Sequence, residues 1–396
     1  MLPIYSGDDR HWLRWERLNA YARVTLFLNM TIGGIAVMYW WLTAGDKPFH
    51  IVSDLSVFWV AAGLAKAGQG AQAYLPGQIQ GLMTQWAPHI QGRYGWFYPP
   101  TFMLLILPMG YVSYGMAYLG FMSSSLVAYL KVIRRLLSLP SVPWPMVVAF
   151  PGLWINVLTG QNGLLTAAIA SAALFFLPKR QILAGALIGL LAVKPHLAIL
   201  FPVALVAAGA WQAMLVAALT AGIFSVLSGM VLGYETWNAW QHSLVFARSI
   251  MEGGGTAAMM PTIFSFFRLL QAPLAVAYAA QALVATGAGV VVWHVWRSGA
   301  LFPVKAATLM TASLLSTPYL FEYDLAWLGP VLAWIAPVSY RKGWYRHERE
   351  VLLMAWCLPL AALLIAWATR IQVGPWVLAW LLWLIARRAL DTGEGK

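Results

Sequence analysis

The sequence predicts an all-α polytopic membrane protein of about twelve transmembrane helices with additional helices in its outer loops, and three observations carry that prediction. Hydrophobic residues make up 61% of the 396 and charged residues only 10%, with a mean hydropathy of +0.70. A soluble domain is roughly one-quarter charged and could not hide this much apolar surface. Apolar runs recur along the chain at bilayer-crossing lengths, roughly 17–25 residues each. The net charge of +12 is distributed by membrane side and speaks for topology, against a nucleic-acid partner.

The opening segment "MLPIYSGDDRHWLRWERLNAYAR" (1–23) is polar and amphipathic, and no small-residue cleavage pattern follows the first apolar run. It is expected to stay as a basic segment on the cytoplasmic membrane surface. Apolar runs then fall near 24–43, 112–132, 143–159, 162–178, 181–194, 196–211, 212–232, 272–296, 300–317, 324–340, 350–369 and 373–388, a single transmembrane domain over 24–390 with a cytoplasmic tail at 391–396. With the N-terminus inside, the cytoplasmic side receives the N-terminal arginines, "KVIRR" (131–135), "KR" (179–180), Arg297, Lys305, "RKGWYRHERE" (341–350), "RR" (387–388) and the tail. That is 18 of the 25 Lys and Arg, leaving 7 outside, the bias that the positive-inside rule requires.

The outside cations are Lys47, Lys66, Arg93, Lys194, Arg248, Arg268 and Arg370, and the outside acids Asp46, Asp54, Glu235, Glu252, Glu322 and Asp324. Polar chemistry thus gathers on one face, in a first outer loop (44–111), a second (233–271) and three short turns. "YPPTFMLLILPMG" (98–110) is apolar but too short to cross, and counting it as a span would put "KVIRR" outside. It reads as a helix that dips into the interface.

Other chemistry finds no support. Cys357 is the only cysteine and lies in an apolar run, so neither an intramolecular disulfide nor a thiolate cluster is expected. The sequence has no metal-spaced histidine cluster, no phosphate-cradling glycine loop after a strand and no nucleophile elbow, so neither metal nor cofactor is expected. "EGGGTA" (252–257) reads as a flexible gate or plain linker.

Placed outside, "SDLSVFWVAAGLAKAGQGAQAYLPG" (53–77) and "FYPPTFMLLILP" (97–108), followed in order by "LTGQNGLLTAAIASAALF" (158–175), "AGALIGLLAVKPHLAILFPV" (184–203) and "STPYLFEYDLAWLGP" (316–330), resemble glycosyltransferase family 87. The resemblance covers roughly 50–330 and implies the GT-C fold and an integral membrane enzyme of the cell inner (plasma) membrane. It further implies a polyprenyl-phosphate-linked sugar as donor, mannose or another hexose, and a lipid or glycan acceptor. The acceptor hydroxyl would attack the anomeric carbon on the extracytoplasmic side with inversion, an aspartate of the first outer loop acting as base.

That resemblance places the catalytic role on Asp54; the bland reading is a helix N-cap, and both can hold. Leu55 follows it where the family often has an aromatic. Glu322 and Asp324 in "FEYDL" are the rival base or acceptor-orienting groups, with Asp324 alternatively a cap; many relatives have histidines here and this chain has none. Lys194 and His196 in "VKPH" read as donor-phosphate ligands, or as a snorkelling lysine at a proline break. Arg268 is a third phosphate candidate, and Arg370 reads as an interfacial anchor. Gln161 and Asn162 either bond sugar hydroxyls or satisfy their own turn. Tyr98 and Trp59 offer stacking faces for a sugar or anchor the interface.

Two rival functions come from other classes, a polytopic secondary transporter and a non-catalytic lipid-binding scaffold. A transporter would show two similar halves and a mid-membrane site; no repeat is visible, and the polar residues gather at one face.

Overall fold

The computed structural model describes residues 11–43, 54–86, 94–137 and 143–390. Asp46, Lys47, Arg93, residues 1–10 and the tail 391–396 lie outside the described residues. Among the described residues the regular structure is helical, with no strand.

Every apolar run described becomes helix, and the runs differ in reach. Four helices are long and apolar enough to cross a membrane: Tyr114–Leu137, Trp211–Leu232, Leu274–Arg297 and Glu348–Thr369. Others are broken by proline. Pro151 opens a helix of 9 residues, Pro151–Thr159, after the short turn of helix Trp144–Val148. Pro195 separates Gln181–Leu190 and its 3-10 extension from Phe201–Ala207. A proline lacks the N–H that would continue the ladder, so each sits in the first turn of a new segment. At about 1.5 Å per residue these pieces cover only half of a hydrocarbon layer.

Residues 15–23, expected to lie apart on the membrane surface, belong to one continuous helix, Trp15–Thr43. The segment 233–271, read from the sequence as a second loop, contains the 19-residue helix Tyr234–Glu252. It packs against the first-loop segment, where Trp240 Nε1 donates to the Phe97 carbonyl at 3.3 Å. The short apolar segment folds as Pro100–Ile106 followed by a 3-10 turn, Leu107–Tyr111.

Two apolar cores organise these helices. The larger joins the helices from Tyr114 onward, with Leu164, Phe201, Met310, Trp327 and Leu381 fully enclosed. Helix Gln181–Leu190 approaches Trp211–Leu232 closely enough that a Cβ on Gly185 would lie 2.5 Å from the Ala213 carbonyl oxygen, and one on Gly189 2.5 Å from the Thr220 Cβ. Small residues four apart let two helices meet backbone to backbone. The smaller core belongs to the first outer loop and is aromatic. Phe58 meets the rings of Phe102, Tyr98 and Trp96 edge-on at 5.1, 5.4 and 6.0 Å. This packing fixes helix Asp54–Lys66, and with it the position of Asp54, against the main bundle.

At the opposite end from Asp324, the Leu328–Lys342, Glu348–Thr369 and Gly374–Leu390 helices are tied by a buried ion pair. Arg388 Nε donates to Glu348 Oε1 at 2.6 Å, and the same oxygen accepts from Ser339 at 2.9 Å.

Candidate functional site

Four segments distant in sequence converge on one polar cluster: the first turn of helix Asp54–Lys66, the turn at 160–162, the proline break at 194–196, and the 3-10 turn Glu322–Trp327. Asp54 opens its helix, where the dipole favours a negative charge. Its Oδ2 accepts from Gln161 Nε2 at 2.8 Å. Gln161 Oε1 in turn accepts from the Tyr98 hydroxyl at 3.0 Å. Tyr98 itself is held by Tyr74, whose hydroxyl donates to its carbonyl at 2.8 Å.

Beyond this chain lies the one lysine of the cluster. Lys194 Nζ is 2.5 Å from Asp324 Oδ1 and 3.2 Å from Asn162 Oδ1, and it sits 4.6 Å from the Tyr323 ring centroid. Lys194 is 4% exposed and Asp324 not at all. The second Asp324 oxygen accepts from the Phe321 amide at 3.4 Å, so the cap reading of Asp324 describes one oxygen and the ion pair the other. Both oxygens are thus engaged, and the ion pair with Lys194 holds Asp324 fully enclosed.

Glu322 is different. It is 4% exposed, and its Oε2 is enclosed with no hydrogen-bond partner. Burial pushes its carboxyl up to about 8, and the negative charges of Asp54 and Asp324 add to that rise. Asp54 is also raised by burial, with the Gln161 hydrogen bond working the other way. Of the three carboxylates, only Asp54 is half-buried, the other two being buried.

The turn at 160–162 is shaped for this meeting. Gly160 ends its helix in the left-handed region at φ 71°, as helix C-termini commonly do. Gly163 lies so near the neighbouring turn that a Cβ there would sit 2.3 Å from the Tyr323 carbonyl oxygen. Asn156 Nδ2 donates to that same carbonyl at 2.7 Å, fastening the Glu322 turn to the helix before Gln161.

Of the residues singled out from the sequence, the structure brings together Asp54, Tyr98, Gln161, Asn162, Lys194, Glu322 and Asp324. His196 adjoins Lys194, and its Nε2 is buried without a partner. Arg268 and Trp59 stand apart. The Arg268 guanidinium donates to the carbonyls of Ala272 at 2.6 Å and Glu252 at 3.1 Å, which makes it a fastener of the second outer loop. Trp59 donates to the Val112 carbonyl at 3.0 Å and, with Leu64, Leu82 and Gly110, lines an open groove of about 460 Å³. Asn156 and Tyr323 escaped the sequence reading. Asn156 was legible as the one amide of the 143–159 run, whereas the ring of Tyr323 over Lys194 becomes visible only in three dimensions.

The chain is thus a helical protein with four helices long and apolar enough to cross a membrane, and with one carboxylate at the rim of a closed polar cluster. The family model described as glycosyltransferase family 87 matches residues 96–318. That is more than half of the chain, which belongs to this family of membrane glycosyltransferases. Neither a curated protein nor a solved structure matches it. The matched stretch includes Tyr98, Gln161, Asn162, Lys194, His196 and Arg268. Asp54, Glu322 and Asp324 lie outside it and join it through the contacts above.

Proposed function

We propose that this glycosyltransferase uses a polyprenyl-phosphate-linked hexose, mannose first among them, as donor, and a lipid or glycan hydroxyl as acceptor. The reaction takes place at the extracytoplasmic face of the inner membrane on a GT-C fold. Asp54 is the base. The acceptor oxygen attacks the anomeric carbon as its proton passes to Asp54. The bond from that carbon to the phosphate oxygen breaks, its electron pair leaves with the polyprenyl phosphate, and the anomeric configuration inverts. A positioned base is worth roughly a hundred- to ten-thousand-fold in such a step.

The observation that carries this reading is the contrast among the three carboxylates: Asp324 is consumed by Lys194, Glu322 is enclosed, and Asp54 is reachable. Convergence also supports it, since the four segments that meet are those that charge bias assigns to one membrane side. Lys194, with its charge already neutralised by Asp324, serves in this reading as the organiser of the cluster beneath the phosphate, with His196 beside it. Tyr98, Gln161 and Asn162 line the path of the sugar.

The test is transfer in proteoliposomes from polyprenyl-phosphate [¹⁴C]mannose to endogenous lipid and glycan acceptors, with the anomeric configuration of the product read by NMR. Inverted product supports the proposal. Absence of transfer from any polyprenyl-phosphate hexose, with a nucleotide sugar accepted instead, would sink it.

A further inference from the structure

The cluster holds more acid than base. Glu322 and Asp324 lie near Lys194, Asp54 lies near Glu322, and Lys194 is bonded to Asp324. His196 has an enclosed ring nitrogen with no acid bonded to it. Two carboxyl groups therefore share a site with no cation of their own, and one of them, Glu322, has an oxygen sealed from water and from every donor. An ionised oxygen in that setting is strongly disfavoured; a protonated one carries an O–H in search of an acceptor. A carboxylic acid kept neutral by an enclosed site is an established way to supply a hydrogen-bond donor at neutral pH.

We propose that Glu322 acts as a neutral carboxylic acid whose O–H is donated to a phosphate oxygen of the lipid-linked donor, while Asp54 remains the group that takes the acceptor's proton. The two carboxyls thus divide the work by environment. The enclosed one meets the anion only once the bound phosphate displaces the groups that cover Oε2, and then does not repel it, while the rim one takes the proton of the hydroxyl. The inference rests on the lipid-phosphate donor proposed above.

The consequence is a pH response. Around Glu322, the chargeable groups are Asp54 across the gap, Tyr323 and Asp324 on its own turn, Lys194 and His196 at the proline break, and Tyr98 of the first loop. The Pro151–Thr159 and Gly163–Phe176 helices packed on the turn carry no titratable side chain. Tyr129 is committed to the Ala326 carbonyl at 3.0 Å. In the Phe302–Ser316, Leu328–Lys342 and Glu348–Thr369 helices, the titratable groups sit toward the end away from this turn, apart from Cys357 at mid-helix. With Glu322 titrating near 8, its donor is present below that pH and is replaced above it by a negative charge facing the phosphate.

The experiment measures binding of a polyprenyl monophosphate to the full chain in nanodiscs between pH 6.5 and 9.5, for the native protein and for E322Q, whose amide donates without titrating. Native affinity should fall by roughly ten- to a hundredfold across pH 8, the size of a lost charge-assisted hydrogen bond. E322Q should lose that alkaline step; the phosphate's own titration is common to both proteins and cancels. A native curve with no step, or an E322Q curve with the same step, overturns the inference while leaving the donor class standing. No binding by the native protein at any pH overturns the donor class and this inference with it. An E322Q protein that fails to fold also counts against it, because the amide copies the shape and donor of the neutral acid.

Discussion

Replacing Asp54 by asparagine isolates the proton-accepting role from the structural one. Asn keeps the side-chain size, and its Oδ1 can accept the 2.8 Å hydrogen bond from Gln161, so the chain through Gln161 to Tyr98 is preserved. What disappears is the ability to take the acceptor's proton. Turnover should drop by roughly 10² to 10⁴, equivalent to about 2.7–5.4 kcal/mol of transition-state stabilisation. Stability should move in the other direction or not at all. Burial raises the Asp54 pKa above its ordinary 3.8, so the folded state holds this proton more tightly than the unfolded chain. The stability this contributes is fully present below the unfolded value and is lost as pH rises through the folded one. At neutral pH the carboxylate is therefore a cost that Asn relieves. Sugar transfer in proteoliposomes and a thermal unfolding scan at pH 7 measure the two effects together. D54N turnover within threefold of native, or a turnover loss matched by a melting temperature several degrees lower, would refute the assignment.

Three more outcomes are expected. Lys194→Met leaves Asp324 enclosed and unpaired, which typically costs about 3–5 kcal/mol; the thermal midpoint should fall, and K194M/D324N should recover much of it. If K194M instead folds normally and loses only donor affinity, Lys194 is a direct phosphate ligand. In a Cys357-free background, Leu75→Cys, at an exposed position of the first outer loop, should react with an impermeant thiol reagent added outside the cell. Labelling only after permeabilisation would place the site at the cytosol. Arg388→Met breaks the buried pair with Glu348 and should destabilise by about 3–5 kcal/mol, yet leave the alkaline binding step assigned to Glu322 where it is.

The helices were legible because burial in lipid or in a helical bundle leaves the same apolar record, and Pro195 marked one break, whereas the 143–159 run was read whole across Pro151. The record does not state length in three dimensions, which is why apolar runs of bilayer size folded as shorter, broken pieces. Helix Tyr234–Glu252 left no apolar run to find: its buried side carries Thr236 and Ser243, and Tyr234 and Val245 point outward. At the site, individual acids and cations stood out as rarities in an apolar chain, and the charge bias assigned them all to one side of the membrane as an expectation. Their pairing did not. Lys194 and Asp324 are 130 residues apart and Asp54 and Gln161 are 107 apart, so nothing local said that the lysine was already taken. Arg268 looked like a phosphate ligand for the same reason; its partners are backbone carbonyls, and carbonyls have no sequence signature.

The hydrogen-bonded path from Asp54 through Gln161 to Tyr98, and the ion pair beside it, have a consequence for biogenesis. The path starts at Asp54, made long before Asp324, and the cluster is not closed until Asp324 has been made. Every partial chain before that point carries Lys194 without its counter-charge and Asn156 without the Tyr323 carbonyl. If the proposed site is the catalytic one, a growing chain is inactive, and a chain in which one hairpin inserts the wrong way round loses a whole corner of the cluster. In the proposed reading, correct insertion and competence for chemistry thus depend on the same contacts.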